Sequence, residues 1–198
     1  MLDWFSVGQG VGVFASGVLG AMVMTTYRAL RAWQSRRAHD LSRGLDVDQG
    51  ISEVLRGLRD RTRAARVQLS RFHNGAAFFD GSPIKRFTCT QEEVAPGISR
   101  EVLNQQNLPT SLFTALIKRM LENDATVLSC CDLADGHTRH YLESTGVGHL
   151  AVVPVYKNKL IVAFITMHFT ANYPPTPAAC CELLNARALV EVELARKS

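Results

Sequence analysis

The chain has 198 residues, a formal net charge of +4 and a mean hydropathy of +0.01. This length allows one globular core of ordinary size and excludes two large domains. The small net charge, with no recognised binding motif beside it, argues against nucleic acid as the partner.

The N-terminal part of the chain contains a long uncharged run. Ser6–Tyr27 has 22 residues without a charged side chain. At about 1.5 Å per residue a helix of this run would be roughly 33 Å long, close to the hydrocarbon thickness of a bilayer. A secretory signal peptide is not expected, because only Asp3 is charged before the run. The run therefore predicts a single membrane-spanning anchor.

Basic charge is concentrated directly after that run. From Arg28 to Arg66 there are ten arginines against five acidic residues, whereas Val67–Ser198 carries twelve basic and twelve acidic residues. This position favours contact with anionic lipid headgroups and places the following domain on the cytoplasmic side. The predicted organisation is an anchor at 1–27, a basic neck at 28–48 and one globular domain at 49–198.

Small residues recur at four-residue spacing within the predicted anchor. Gly12, Ser16 and Gly20 would share one helix face, which allows a second helix to approach closely. The pattern favours a homo-oligomer, although glycine is also common in membrane helices that do not associate.

Five cysteines form two adjacent pairs and one single residue, without a C-x-x-C motif. An odd number of mostly adjacent cysteines fits a reducing compartment better than a disulfide framework. Cys130, His137 and His140 do not have the spacing of a structural zinc site, so no metal is expected. The cysteines are Cys89, Cys130, Cys131, Cys180 and Cys181.

The globular domain begins with an amphipathic helix. Ile51, Leu55 and Leu58 lie on one side of it, and this stripe is expected to pack against a second copy of the chain. A strand is predicted at Val67–His73, ended by an Asn74-Gly75 turn, and a second strand at Ile84–Glu92.

Short helices and strands are predicted next. A helix is expected at Ser99–Gln106, and another after Pro109, where Thr110 or Ser111 is available as the N-cap. The buried face of the second helix is predicted to contain Leu112, Ala115, Leu116, Arg119 and Met120. A short strand at Thr126–Cys130 and a short helix ending at Ser144 follow.

The last part of the chain carries the clearest β pattern. Gly148–Val155 and Lys159–Phe169 predict an antiparallel hairpin that turns at Lys157-Asn158, and their nearly continuous apolar residues indicate burial on both faces. A final helix is predicted at Ala178–Arg196, with Leu183, Leu184, Val190 and Leu194 as its buried stripe.

This order of elements, with the segments Arg71-Phe72-His73-Asn74-Gly75 and Glu93-Val94-Ala95-Pro96-Gly97-Ile98-Ser99, resembles GAF domains of a small bacterial or phage-encoded variety. The resemblance covers Ile51–Arg196. It implies an α+β fold of GAF/PAS type, with a central antiparallel sheet flanked by helices and here preceded by one hydrophobic helix. GAF domains typically bind a small molecule between the sheet and the irregular segment, and many dimerise through their terminal helices. The cyclic-nucleotide signature and a convincing bilin cysteine are missing from this sequence.

Ligand contacts are expected from the strand ends and the loops between them. The candidate ligand-binding residues are His73, Asn74, Phe78, Phe79, Arg86, Cys89, Glu93, Asp132, His140 and Tyr141. Candidate oligomerisation residues are Gly12, Ser16, Gly20, Ile51, Leu55 and Leu58. No catalytic residue is assigned, and the identity of any cofactor is open.

Three functions remain open on the sequence. The first is a non-catalytic, membrane-anchored binding or sensory module that acts through contacts with its own copies or with a signalling partner, and it would need a separate output protein. The second is a structural or assembly protein, possibly within a phage particle, that keeps the fold without a ligand. The third is an enzyme similar to GAF-type free methionine sulfoxide reductases, with Cys89, Cys130 or Cys131 as the nucleophile.

Overall fold

The computed structural model describes residues 4–77, 83–134 and 136–196, and it describes side chains from residue 24 onward except at 25, 36, 38, 39, 76, 77, 83 and 84. The helices are α1 (Trp4–Thr62), α2 (Thr114–Glu122), α3 (His137–Ser144) and α4 (Pro177–Arg196). The strands are β1 (Arg66–Ala77), β2 (Pro83–Val94), β3 (Leu108–Pro109), β4 (Thr126–Ser129), β5 (His149–Lys157) and β6 (Leu160–Phe169). The chain divides into two compact units, Met1–Leu45 and Asp46–Ser198.

The first unit is helical from Trp4 onward, so the basic neck predicted at 28–48 is itself part of α1. Arginine and aromatic side chains pair along it. The Arg37 guanidinium carbon lies 4.0 Å from the centre of the Trp33 ring, which is a cation–π contact. Arg31 makes a longer contact of the same kind with Tyr27, at 5.4 Å.

Among the described residues, none of the helices has both the length and the apolar character needed to cross a bilayer. Most side chains of Ser6–Tyr27, including those at Gly12, Ser16 and Gly20, lie outside the described residues. The membrane anchor and its oligomerisation face therefore stay predictions.

The second unit is built on one six-stranded sheet with the order β3-β2-β1-β6-β5-β4. Every neighbouring pair is antiparallel, and β1 and β6 occupy the centre. Helices flank this sheet, which confirms the predicted α+β architecture. The β5–β6 hairpin is confirmed as well, with Asn158 and Lys159 as the turn at φ 52° and 64°. Two consecutive left-handed residues match the twist of a tight hairpin.

One face of the sheet is covered by α4 and the end of α1. Ile51, Leu55 and Leu58 are 0 % exposed there and belong to the same apolar cluster as the central strands. The expectation that this stripe faces a second copy was therefore wrong, because the domain's own sheet covers it. The predicted stripe of α4 is confirmed, with Leu183, Val190 and Leu194 buried and Leu184 packed against the cluster.

The opposite face is covered by α2, α3 and the segment after β2. Aromatic rings fill part of it: Phe87 lies 5.2 Å from Phe164 and 5.1 Å from Phe113 between ring centres, both edge-on. Leu116 and Met120 of α2 are buried here, as predicted, but Leu112 is 41 % exposed. Leu112 lies in the 3-10 turn Thr110–Phe113 before α2, so its side chain does not continue the α-helical face.

Three local predictions were wrong for a shared reason, namely that long-range partners replace the local ones. Asn74-Gly75 is not a turn, because Asn74 pairs with Lys85 and β1 continues to Ala77 past an irregularity in the register. Ser99–Gln106 forms turns rather than a helix, since its backbone is held by β2. Thr110 does not cap α2 either, because its hydroxyl donates to the Lys85 carbonyl at 3.1 Å.

Candidate functional site

A small cavity lined by both apolar and polar side chains lies between the sheet and the helices α2 and α3. Its volume is about 30 Å³, and its polar lining comes from Gln68, Ser70, Gln105, Thr138, Tyr141, Thr166 and His168. A water molecule needs roughly 10–15 Å³ of such space, whereas sites for small organic ligands occupy about 300–1,000 Å³. The cavity therefore has room for one or two waters and for nothing larger.

A buried ion pair closes one side of this region. Arg66 begins β1 and Glu92 lies near the end of β2, and their side chains are only 2 % and 0 % exposed. Arg66 Nε lies 3.1 Å from Glu92 Oε1. Arg66 Nη2 also donates to the Ser99 carbonyl at 2.8 Å. A buried ion pair needs further hydrogen bonds around it. The Ser99 carbonyl supplies one to Arg66, whereas Arg66 Nε faces the carboxylate without a hydrogen bond of its own.

The Glu92 carboxylate is surrounded by donors. Gln68 Nε2 donates to Oε1 at 2.9 Å. The backbone amide of Glu101 lies 3.0 Å from both oxygens, and that of Val102 donates to Oε2 at 3.1 Å. An amide side chain, two backbone amides and a guanidinium together form the kind of site that holds a ligand carboxylate. Here the carboxylate belongs to the chain itself.

Amide and phenol groups extend this network into the cavity. Gln105 Nε2 donates to Gln68 Oε1 at 3.2 Å and also contacts the Tyr141 hydroxyl. Burial raises the pKa of Tyr141 to about 12, so the phenol keeps its proton at neutral pH. The polar groups around the cavity thus bind one another in neutral or paired forms.

His168 lies on β6 beside the ion pair. Its Nδ1 is 3.4 Å from Arg66 Nη1. Burial, and to a smaller extent the Arg66 charge, lower the pKa of His168 to about 3. The imidazole is therefore neutral at physiological pH, which lets Nδ1 accept from the guanidinium. A neutral buried histidine next to a permanent cation serves here as a hydrogen-bond acceptor rather than a base.

Neither Cys89 nor Cys130 offers an activated nucleophile. Burial raises the pKa of Cys89 to about 12, and Glu92 contributes in the same direction. Its Sγ donates to the Gln91 carbonyl at 3.4 Å. Burial also raises the pKa of Cys130. Within the described residues, no group of three or more His, Cys, Asp and Glu side chains is arranged to hold a metal ion.

Three of the predicted ligand residues come together outside this cavity. His73, Asn74 and Arg86 line an open groove of about 440 Å³ at the far end of the β1–β2 pair, next to α2. Arg86 Nη1 donates to the Asn107 carbonyl at 2.7 Å, which fixes its guanidinium at the groove.

The other predicted residues are distributed around the domain. Tyr141 lines the inner cavity, and Cys89 is buried near it. Glu93 points to the opposite face, where it pairs with Arg56 at 3.3 Å. Asp132 and His140 are exposed, and Phe78 and Phe79 lie outside the described residues.

Sequence reasoning missed the central members of the polar network: Arg66, Gln68, Glu92, Gln105 and His168. A signal was present, because Arg66, Gln68 and Ser70 alternate along β1, as Thr166 and His168 do along β6. Alternation places each series on one face of the sheet. Polar residues at every second position of two central strands would have indicated a buried polar cluster.

Comparison of the sequence with protein-family models and with curated proteins gives no match. Solved structures do match. A GAF domain/HD domain protein from Geobacter sulfurreducens is 18% identical, with a TM-score of 0.55, over 76% of this chain and 91% of that one. The phycoerythrobilin-bound GAF domain of a cyanobacterial phytochrome is 13% identical, with a TM-score of 0.61, over 81% and 91%. The GAF domain of PixJ from Thermosynechococcus elongatus is 14% identical, with a TM-score of 0.57, over 77% and 89%. The chain therefore has a GAF-like fold.

Proposed function

We propose that this chain is a non-catalytic, membrane-anchored GAF-like module that acts through contacts with its own copies and with partner proteins. The observation that carries the proposal is the state of the inner site. The Glu92 carboxylate accepts hydrogen bonds from Gln68 and from two backbone amides, and the cavity beside it has a volume of only about 30 Å³. The module in this state presents surfaces to partners, not an open inner pocket.

Some of the similar structures are bilin-bound GAF domains, and their likeness supports a binding or sensory role for this fold. A bilin is not proposed for this chain. The inner cavity would have to grow at least about tenfold to reach the size of an ordinary small-molecule site. A ligand of one or two heavy atoms, or no ligand, fits the inner site as it stands.

The membrane part of the proposal rests on the uncharged run Ser6–Tyr27 and the arginines that follow it. Its test is flotation of the full chain on neutral phosphatidylcholine vesicles in high salt, where headgroup attraction is screened. Retention in the floating fraction is expected. Recovery of the protein in the soluble fraction would contradict the anchor.

The predicted oligomer is tested by substitutions on the helix face that Gly12, Ser16 and Gly20 would share. Changing all three to Leu should block close helix approach and lower the mass of the full chain in neutral detergent, measured by light scattering. Gly17→Leu is the matched control, because it lies on another side of the helix. An unchanged mass in the triple variant would remove that face from the account.

A structural protein without a ligand, possibly in a phage particle, is the second candidate. The small volume of the same inner cavity favours it. Native mass spectrometry of the full chain distinguishes the two. A bound small molecule of reproducible mass supports the sensory role, whereas a bare polypeptide in a defined oligomer supports the assembly role.

The reductase alternative is disfavoured by the thiol environment. With its pKa raised to about 12, Cys89 has roughly a thousandth of the thiolate of an ordinary cysteine at pH 8. Iodoacetamide should therefore label the exposed Cys131 and Cys181 first and leave Cys89 unmodified in the folded chain. Rapid labelling of Cys89 would reopen the enzyme hypothesis.

A further inference from the structure

We propose that the open groove beside α2 binds small organic anions, in which a carboxylate or phosphate is attached to an apolar body. The groove has a volume of about 440 Å³ and is formed by the ends of β1 and β2, the start of β6 and one side of α2. This volume lies within the usual range for small-molecule sites. The inference goes beyond the proposed function, because the groove is formed by the second unit alone.

Positive charge is concentrated at one end of the groove. Lys85 and Arg86 are neighbours on β2, and His73 lies across from Arg86 on β1. The described residues that line the groove include no Asp or Glu. A groove lined by two permanently charged cations, with no acid among its described residues, favours an anion. Arginine and lysine side chains each bind carboxylates and phosphates.

The Arg86 and His73 side chains are held in place by other parts of the chain. Arg86 is tied to the Asn107 carbonyl, and His73 Nε2 lies 3.0 Å from Thr88 Oγ1. The backbone of Lys85 is fixed by the Thr110 hydroxyl at 3.1 Å, while no described residue pairs with its ammonium group. An exposed cation on a fixed backbone remains available to a ligand.

The other end of the groove is apolar. Ile117 and Leu121 of α2 face Ile161 of β6 and Phe72 of β1 across it. Leu121 is 59 % exposed, although it lies on the wall of a concavity. Removal of such an apolar side chain from water is favourable in proportion to the area covered. A ligand with an apolar body would cover it while its anionic group reaches Lys85.

The groove is separate from the inner cavity. The two share no lining residue. The packed rings of Phe72, Phe87 and Phe164 lie between them, and the centres of the Phe72 and Phe164 rings are 5.2 Å apart. The saturation of the inner network by Glu92 therefore does not fill the groove.

The test uses calorimetric titration of the full chain in a neutral detergent, with a protein-free titration subtracted. The probes are 4-phenylbutyrate and phenyl phosphate, with neutral 4-phenylbutanol as the uncharged match. Saturable binding of at least one anion, at least tenfold tighter than the alcohol, is expected. The better anion shows whether a carboxylate or a phosphate is preferred.

Substitutions at two exposed positions, each with a control variant, locate the site. Lys85→Glu should weaken the better anion at least tenfold, whereas Lys118→Glu, exposed on α2 outside the groove lining, should not. Leu121→Gln should weaken it severalfold, while Leu160→Gln, exposed elsewhere, should leave it unchanged. Absence of saturable binding, or equal binding by Lys85→Glu and Lys118→Glu, would overturn the proposal. Neither result bears on flotation or oligomer mass, which test the proposed function.

Discussion

The two faces of the sheet are stabilised in different ways. The face under α1 and α4 is mainly apolar, with Leu55, Leu69 and Leu183 at 0–1 % exposure and Glu93 paired with Arg56 at its margin. The face under α2 and α3 combines aromatic packing with a buried ion pair and a hydrogen-bond network. Strands β1 and β6 contribute to both, because alternate residues point to opposite sides.

This difference shows how a GAF-like fold can keep one face as scaffold and adapt the other. Apolar contacts on the first face are numerous and individually replaceable. On the second face each buried polar group depends on a specific partner, so removal of one member leaves another uncompensated. A single substitution on the polar face should therefore lower the free energy of unfolding by more than the buried area of that face suggests.

The largest loss of stability is expected from a substitution that breaks the Arg66–Glu92 ion pair. Arg66→Met leaves the Glu92 carboxylate buried without its cation, and should lower the free energy of unfolding by about 3–5 kcal/mol. Arg61→Met is the matched control, because its partner Glu182 is 35 % exposed and such surface pairs contribute about 0–1 kcal/mol. Urea unfolding of the full chain, followed by circular dichroism, measures both. Equal effects would mean that the polar face is no more sensitive than the surface.

A substitution on the apolar face measures how much one buried apolar side chain stabilises the domain. Leu55→Ala removes a fully buried side chain and should lower the free energy of unfolding by about 3 kcal/mol, through lost transfer energy and a residual cavity. Leu45→Ala, at a position 61 % exposed, should change it by less than about 0.5 kcal/mol. The Leu55 effect should be the same at pH 5 and pH 7, because the side chain that is removed carries no ionisable group. A strong pH dependence would show that the two faces are coupled.

The smallest effect concerns the pH dependence of the free energy of unfolding, to which the polar face contributes through His168. The pKa of His168 falls from 6.5 in the unfolded chain to about 3 in the folded one, so the unfolded state binds the proton more readily between these values. Its stabilising contribution is complete above pH 6.5 and is lost as pH falls, at about 1.4 kcal/mol per pH unit.

His168→Gln keeps an acceptor for Arg66 and should remove that part of the slope between pH 6 and pH 4. The exposed His140 gives the matched variant, His140→Gln, whose slope should equal that of the unmodified chain. Unfolding free energies at several pH values provide the measurement. An unchanged slope in His168→Gln would place the titrating group elsewhere.

The sequence predicted the elements whose patterns are long and periodic. The β5–β6 hairpin, α4 and the apolar stripe of α1 follow from spacing alone, because burial on a helix or strand requires that spacing. The surfaces against which these elements pack could not be predicted from spacing. The stripe at Ile51, Leu55 and Leu58 needed a covering surface, and nothing local distinguishes a second chain from the domain's own sheet.

The candidate site was predictable only in part. His73, Asn74 and Arg86 were identified, and they do share a groove, because strand ends that follow one another in a hairpin lie side by side. Glu92 and Gln105 were not identified, since their importance depends on Arg66 and Gln68, which lie about 24 or more positions away along the chain. Contacts of that separation are fixed by topology and leave little trace in local composition.

Glu92 occupies its own domain's inner site as a ligand carboxylate would. Glu92→Ala removes the atoms of one acetate ion and leaves Arg66, Gln68 and two backbone amides around the space. The decisive measurement is the thermal unfolding midpoint of this variant in acetate and in matched chloride. Acetate should raise the midpoint of Glu92→Ala by several degrees and leave that of the unmodified chain unchanged. Equal midpoints of the variant in acetate and chloride would show that Glu92 does not stand in for a bound carboxylate.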